Sequence, residues 1–225
     1  NTGADIARGH YLLTLDDDTS LTSKDAIEKL FNVLEEYRSI GMAGGINVIP
    51  AVVSPFVRRV MREVPRRSTP PVNEITDSDL AEHPLLMMRK DVFKEVGGEN
   101  ELIPRGLDPY LRREFREAGF RVVVVPGVQY SHLPPDTLFG IIKQFYRNGR
   151  LAAFCNKFYP QWVLETPDTH LTDFIEKRPF SYRAARYLVS LVKRTSRGHL
   201  IYLTVSLAYG IGVMMGYVCY RDEMQ

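Results

Sequence analysis

Apolar positions run without a break from Tyr11 to Leu15 and then stop at three aspartates, Asp16, Asp17 and Asp18. A short apolar run of this kind predicts a strand buried on both faces. It would deliver polar groups at its carboxyl end, where open α/β sheets keep their ligands. Ser23 is placed to cap a helix from Lys24 to Arg38, with Ile27, Leu30, Phe31 and Leu34 at helical spacing and Gly41 ending it. Met42 to Ile49 reads as a second strand, and the order strand, helix, strand predicts a parallel α/β layer.

The pattern loosens between Pro50 and His83, although Ser54 and Pro55 have the form of a cap and first turn. Val57, Val60, Met61 and Val64 then share one helical face, with Arg58, Arg59 and Arg62 on another. Such a basic amphipathic helix is either an ordinary surface helix or an element for a membrane surface or an acceptor. Residues 66–73, with Pro70 and Pro71, read as loop. Further on come a strand at Leu85–Met88, a helical turn at Asp91–Val96 closed by Gly97 and Gly98, and a helix at Asp108–Ala118 ended by Gly119. The four valines within Arg121–Pro126 predict a buried strand. Near residue 133 the α/β pattern gives way to helices over Leu138–Phe158 and Tyr182–Lys193. No internal repeat is visible.

From Leu200 to Tyr220, 21 residues pass without a charge. As a helix that is roughly 30 Å, the thickness of a hydrocarbon core. Arg183, Arg186, Lys193, Arg194 and Arg197 precede it, so the positive-inside tendency places the preceding domain in the cytoplasm. A buried or peripheral helix is the competing reading, because glycines and hydroxyls dilute the stretch. Gly212 and Gly216 form a G-x-x-x-G pair that marks close helix packing equally well.

Composition narrows the field. With 44% hydrophobic and 25% charged residues the chain buries a real core, and a net charge of +2 gives no reason to expect nucleic acid as a partner. Cys155 and Cys219 lack metal-ligand spacing, which argues against a disulfide framework and a zinc site. The start at Asn1, close to a strand, reads as the start of a fragment. The expected domains are therefore the C-terminal portion of a larger α/β domain over residues 1–133, a helical basic region over 134–198 and a membrane helix with a short tail over 199–225.

Three adjacent aspartates repel one another strongly in a partly dry site unless a cation neutralises them. In extended chain Asp16 and Asp18 project to the same side, and hard oxygen ligands suit Mg2+ or Mn2+. A solvated acidic turn is the bland alternative. The segment Asn1-Thr-Gly-Ala-Asp-Ile-Ala-Arg-Gly-His-Tyr-Leu-Leu-Thr-Leu-Asp-Asp-Asp-Thr resembles the part of family 2 glycosyltransferases in which N-x-G and A-x-G lead into the strand bearing D-x-D. A second stretch, from Arg89 through Val96-Gly-Gly-Glu-Asn-Glu-Leu to Gly106-Leu-Asp108-Pro-Tyr-Leu111 and Ala118-Gly-Phe-Arg-Val, is similar to the family's acceptor-side block.

That resemblance implies an incomplete GT-A (Rossmann-like) mixed sheet with flanking helices, followed by a helical C-terminal region. It implies Asp16 and Asp18 as contacts of a metal and nucleotide, Asp17 and Arg105 as substrate contacts, and Asp108 as catalytic base. His132 matches a histidine that some members place near the metal or diphosphate; a structural strand-end histidine is the alternative. Gln144, Arg147 and Arg150 loosely resemble Q-x-x-R-W, with Leu151 where tryptophan stands. They imply either an anion clamp or a solvated basic face. Leu107 stands where the family has Glu, and Glu114 where an arginine often follows.

The implied reaction is inverting, metal-assisted transfer of a sugar from a nucleotide-sugar donor to a glycan or polyprenyl-linked acceptor, at a membrane and facing the cytoplasm. The family's base-gripping first half is absent from this sequence, so the chain as it stands is expected to bind donor poorly. Two rival classes are a haloacid-dehalogenase-like phosphatase, suggested by Asp16-x-Asp18-x-Ser20, and an inactive membrane-associated scaffold. A sugar nucleotidyltransferase would share the carboxylate logic.

Overall fold

The computed structural model describes residues 1–164, 169–170 and 179–220. Six strands form one sheet: β1 (Tyr11–Leu15), β2 (Thr19–Leu21), β3 (Ile40–Asn47), β4 (Thr76–Asp77), β5 (Leu85–Arg89) and β6 (Arg121–His132). The order is β1-β5-β3-β6-β2, with β4 paired beside β6. β3 and β6 run parallel, whereas β5 lies antiparallel to both β1 and β3. The sheet is therefore mixed. The parallel layer expected from the first strand, helix and strand is interrupted, because β5 enters between β1 and β3.

β5 shows why both faces are covered. Leu85 and Met87 pack with Ala26, Leu30 and Leu34 of α2 (Ala26–Glu36). Leu86 and Met88 pack on the opposite face with Phe93 of α4 (Lys90–Glu95) and Leu111 and Phe115 of α5 (Leu107–Glu117). That alternation is the period of a pleated strand between two helical layers. Val122 to Val125 on β6 are likewise buried.

Two local expectations change. β1 lies at the sheet edge, with Leu13 39% and Leu15 49% exposed, so an apolar run here makes a border strand rather than a central one. In α2 the buried stripe is Ala26, Leu30, Val33 and Leu34, while Ile27 and Phe31 face outward and Phe31 meets Tyr11 edge-on at 5.6 Å. Asp25 rather than Ser23 occupies the N-cap, and Ser23 Oγ instead accepts from the Gln129 backbone. Gly41 belongs to β3, where a Cβ would lie 2.8 Å from Phe115.

α3 (Pro55–Glu63) starts as expected: Ser54 Oγ accepts from Val57 N at 3.1 Å, and Pro55 fills the first turn. Its apolar face is buried, since Val60 and Val64 pack with Ile141 of α6 (Leu138–Phe158) and Ile201 and Val205 of α8 (Leu200–Cys219). α6 and α8 run side by side in the same direction along their length. Gly149 faces the Tyr209 backbone, Gly212 the Tyr146 backbone, and Gly216 faces Ala153. The G-x-x-x-G pair thus serves close helix contact. α8 is long and apolar enough to cross a membrane, and one side of it, with Leu207, Ile211, Met214 and Val218, lies exposed. α7 (Phe180–Thr195) adds Leu188, Val189 and Val192 to the exposed apolar surface.

Candidate active site

After β1 the chain turns tightly, with Thr19 N donating to Asp16 O at 3.1 Å, and returns as β2. β2 then pairs with the end of β6 so that Thr19 lies opposite His132. This one pairing converts three residues distant in sequence into a cluster. Asp16, Asp18 and His132 each offer a ligand atom, and these atoms lie within 4.8 Å of one another. His132 Nε2 is 3.1 Å from Asp18 Oδ1. Asp17 is exposed in the turn and is not part of this group.

Two carboxylates and an imidazole fit a hard divalent ion, leaving positions for water and a diphosphate. Burial raises the Asp16 carboxyl above its ordinary range; His132 partly offsets this, whereas Asp18 and Asp108 reinforce it. A cation would relieve the same repulsion.

Asp108 stands in the first turn of α5 and is held at the carboxyl end of β1 through His83, whose carbonyl accepts from Thr14 Oγ1 at 2.8 Å. The N-cap is Gly106, in the left-handed region at φ 84°. Asp108 Oδ1 accepts from the His83 backbone N at 2.8 Å and faces His83 Nδ1 at 2.5 Å. His83 Nε2 reaches Glu99 Oε1 at 2.6 Å. Burial disfavours charge on His83, but the bonds to Asp108 and Glu99 outweigh it and carry the ring up to about 10. For Asp108 burial pulls upward, yet His83 and Arg112 hold it well below the usual carboxylate range. The imidazolium therefore sits between two carboxylates.

Glu99 is fixed from the chain start. Asn1 Oδ1 accepts from Glu99 N at 2.8 Å and its Nδ2 donates to Glu99 O at 2.9 Å. Gly98, at φ 73°, has no room for a Cβ, which would lie 2.6 Å from Asn1 Oδ1. The two motif blocks of the sequence thus touch, and the contact runs from Asn1 through Glu99 and His83 to Asp108.

Sequence reasoning passed over His83, Glu99, Asn47 and the Arg66–Arg67 loop. Asn47 is buried at the end of β3, where its Oδ1 accepts from His132 N at 3.1 Å and its Nδ2 donates to Arg67 O at 3.0 Å. Arg66 adopts φ 63° and pairs with Glu82. Its position in a proline-bearing loop gave no periodic signal. Arg105 lines a cavity of about 410 Å³ together with Arg66 and Asp108. Arg147 and Arg150 line a different cavity with Gln144, and Arg150 lies over Tyr220 at 5.5 Å.

Residues 1–97 match the glycosyl transferase family 2 model. In fold the chain is similar to the mannosyltransferase PcManGT from Pyrobaculum calidifontis, solved in complex with GDP-Man and Mn2+, at 12% identity and a TM-score of 0.60. That similarity covers 99% of this chain and 66% of the mannosyltransferase. S. aureus TarS 1-349 is similar at 12% identity and a TM-score of 0.41, covering 100% of this chain and 70% of that one. No curated protein matches the chain. Residues 1–97, which hold the Asp16–Asp18 turn and His83, are thus similar to glycosyl transferase family 2, and the chain's mixed sheet with flanking helices is of the GT-A kind.

Proposed function

We propose that the protein is an inverting hexosyltransferase that moves a sugar from a nucleoside-diphosphate sugar to a hydroxyl of a glycan or lipid-linked acceptor, with Mg2+ or Mn2+. The observation that carries this reading is the juxtaposition of the Asp16, Asp18 and His132 cluster with Asp108, which His83 ties to the carboxyl end of β1 through Thr14. A bound divalent ion would supply charge neutralisation for the departing nucleoside diphosphate. Asp16, Asp18 and His132 would hold it.

Asp108 works on the other side of the reacting carbon. Both hydrogen bonds from His83 fall on Oδ1, which leaves Oδ2 to take a proton. A carboxylate held this low stays ionised at neutral pH and receives the acceptor proton only as the new C–O bond forms. His83 fixes its orientation, the task that Leu107 cannot perform in place of the usual Glu. Attack from the side opposite the diphosphate inverts the anomeric centre. The exposed apolar sides of α7 and α8, with Arg183, Arg186, Lys193, Arg194 and Arg197 nearby, suit a cytoplasm-facing membrane location.

The stereochemical claim has a direct test. Proton NMR of the first-formed product from an α-linked donor should show a β linkage; an α linkage would replace single displacement with a retaining mechanism.

A further inference from the structure

α8 is joined to the rest of the molecule along its whole length. At its start the buried Glu63 of α3 accepts from Ile201 N at 2.9 Å, and Ile201 and Val205 pack on Val60 and Val64. In its middle Gly212 meets the Tyr146 backbone, and Gly149 of α6 meets the Tyr209 backbone. At its end Lys157 of α6 donates to Tyr220 O at 2.6 Å, and Phe154 meets the Tyr220 ring edge-on at 5.3 Å. This end of α6 is itself fixed to the sheet domain. Cys155 Sγ donates to Arg105 O at 3.6 Å, and Trp162, in the turn after α6, meets Tyr110 of α5 at 6.2 Å. α8 therefore lies across the sheet domain and does not project from it.

That packing decides how an apolar helix can meet a bilayer. With α8 upright in the hydrocarbon, α6 would share its depth and carry Lys143, Arg147, Arg150 and Lys157 with it. Arg147 follows Tyr146, which touches the middle of α8, so its guanidinium would stand near the bilayer centre. Arginine is tolerated there only when it is paired or faces water. The start of α5 would be drawn in as well.

Laid flat, the same helix meets lipid without burying those charges. Leu200, Leu207, Ile211, Met214 and Val218 fall on one helical face, and all are exposed. α7 runs antiparallel beside it, with Ser190 bonded to Tyr202 and Tyr187 donating to Ser206 O at 2.6 Å, and adds Leu188, Val189 and Val192 to the exposed apolar surface. No acidic residue occurs from Phe180 to Tyr220, and Lys193 and Arg197 are exposed where the two helices join. A cationic hairpin with an apolar face fits the surface of an anionic membrane.

We propose that α8 does not cross the bilayer: with α7 it forms an in-plane anchor on an anionic lipid surface, and both of its ends stay on the side of the sheet domain. The proposal rests on the membrane location in the reading above and gives that location a topology. The opposite side of α8 belongs to the site, since Tyr209 lines the same cavity as Asp108 and Trp162.

The full chain with an epitope added after Gln225 would be produced in a bacterial host, and sealed inverted vesicles treated with protease. An in-plane helix predicts that the epitope is digested together with the sheet domain. An epitope protected until detergent opens the vesicles means that α8 spans, and overturns the proposal. Purified protein would also be sedimented with phosphatidylcholine vesicles made with and without phosphatidylglycerol. It should bind the anionic vesicles, and Lys193→Gln with Arg197→Gln should weaken that binding by about tenfold or more. Equal binding to both vesicles, binding to neither, or a dimer in analytical ultracentrifugation that buries the Ile211 and Met214 face in place of lipid overturns the proposal. Nucleoside diphosphate release is measured separately; its loss removes the transferase reading and leaves the topology standing.

Discussion

His83 Nδ1 lies 2.5 Å from Asp108 Oδ1, and the opposite ring nitrogen lies 2.6 Å from Glu99 Oε1. Thr14 Oγ1 holds the His83 carbonyl at 2.8 Å, so the imidazole is anchored through both backbone and ring. Asp108 is thereby oriented by a residue from the segment before β5 rather than by its own neighbour at position 107. The proposed chemistry depends on this positioning.

Its pH signature follows from the direction of each shift. Folding raises His83 from 6.5 to about 10, so its pairing stabilises fully below 6.5 and the gain disappears as pH climbs through about 10. Asp108 is lowered, so its contribution is present above 3.8 and is lost as the solution becomes acidic. Melting temperature between pH 6.5 and 10 should fall in the wild type and stay flatter in His83→Asn. Parallel curves would mean that the ring is not held as an imidazolium.

Metal affinity should map onto three residues. Asp16→Asn with Asp18→Asn should abolish binding of Mn2+ measured by electron paramagnetic resonance. His132→Ala should weaken it by at least about tenfold, the loss expected even of a residue that only supports a ligand. Asp17→Asn should leave it near the wild-type value, because Asp17 stands outside the cluster.

The α6–α8 contact leaves no room for side chains. A Cβ on Gly212 would lie 2.2 Å from the Tyr146 carbonyl oxygen, and one on Gly149 2.2 Å from that of Tyr209. Overpacking of this kind costs about 1–3 kcal/mol even where side chains can yield, and backbone yields less. Gly212→Ala should lower the melting temperature and perturb Trp162 emission, because α6 and α8 both wall its cavity. An unchanged melting curve would contradict the packing.

Membrane attachment should reside in the outer side of α8. Ile211 is 55% and Met214 70% exposed, one turn apart. Ile211→Asp with Met214→Asp should move the protein from the liposome pellet to the supernatant in a co-sedimentation assay while leaving its circular dichroism intact.

Much of this could be read from the chain. The cap at Ser54, the bounds of α6, the valine strand and the Gly212–Gly216 contact all rest on local spacing, which sequence carries directly. The α/β class was legible for the same reason and the GT-A sheet through the family resemblance, but Asp16 and Asp18 meet in a tight turn rather than in the extended chain expected. What was not legible depended on pairing. β1 has the composition of a central strand, and only the strand order puts it at an edge. His83 looks like one more loop residue until β5 and α5 bring it to Asp108. Arg66 sits in a stretch without periodicity, and only the folded chain brings it to the cavity that Asp108 also lines.

The most direct test separates proton transfer from metal binding at Asp108. Full-length protein would be incubated in detergent with GDP- and UDP-sugars, Mn2+ and a glycan or lipid-linked acceptor, and nucleoside diphosphate release measured for wild type and Asp108→Asn. Release should fall by about 10²- to 10⁴-fold, the usual worth of a positioned base, with Mn2+ affinity unchanged. Release at the wild-type rate from Asp108→Asn would show that this carboxylate is not the proton acceptor.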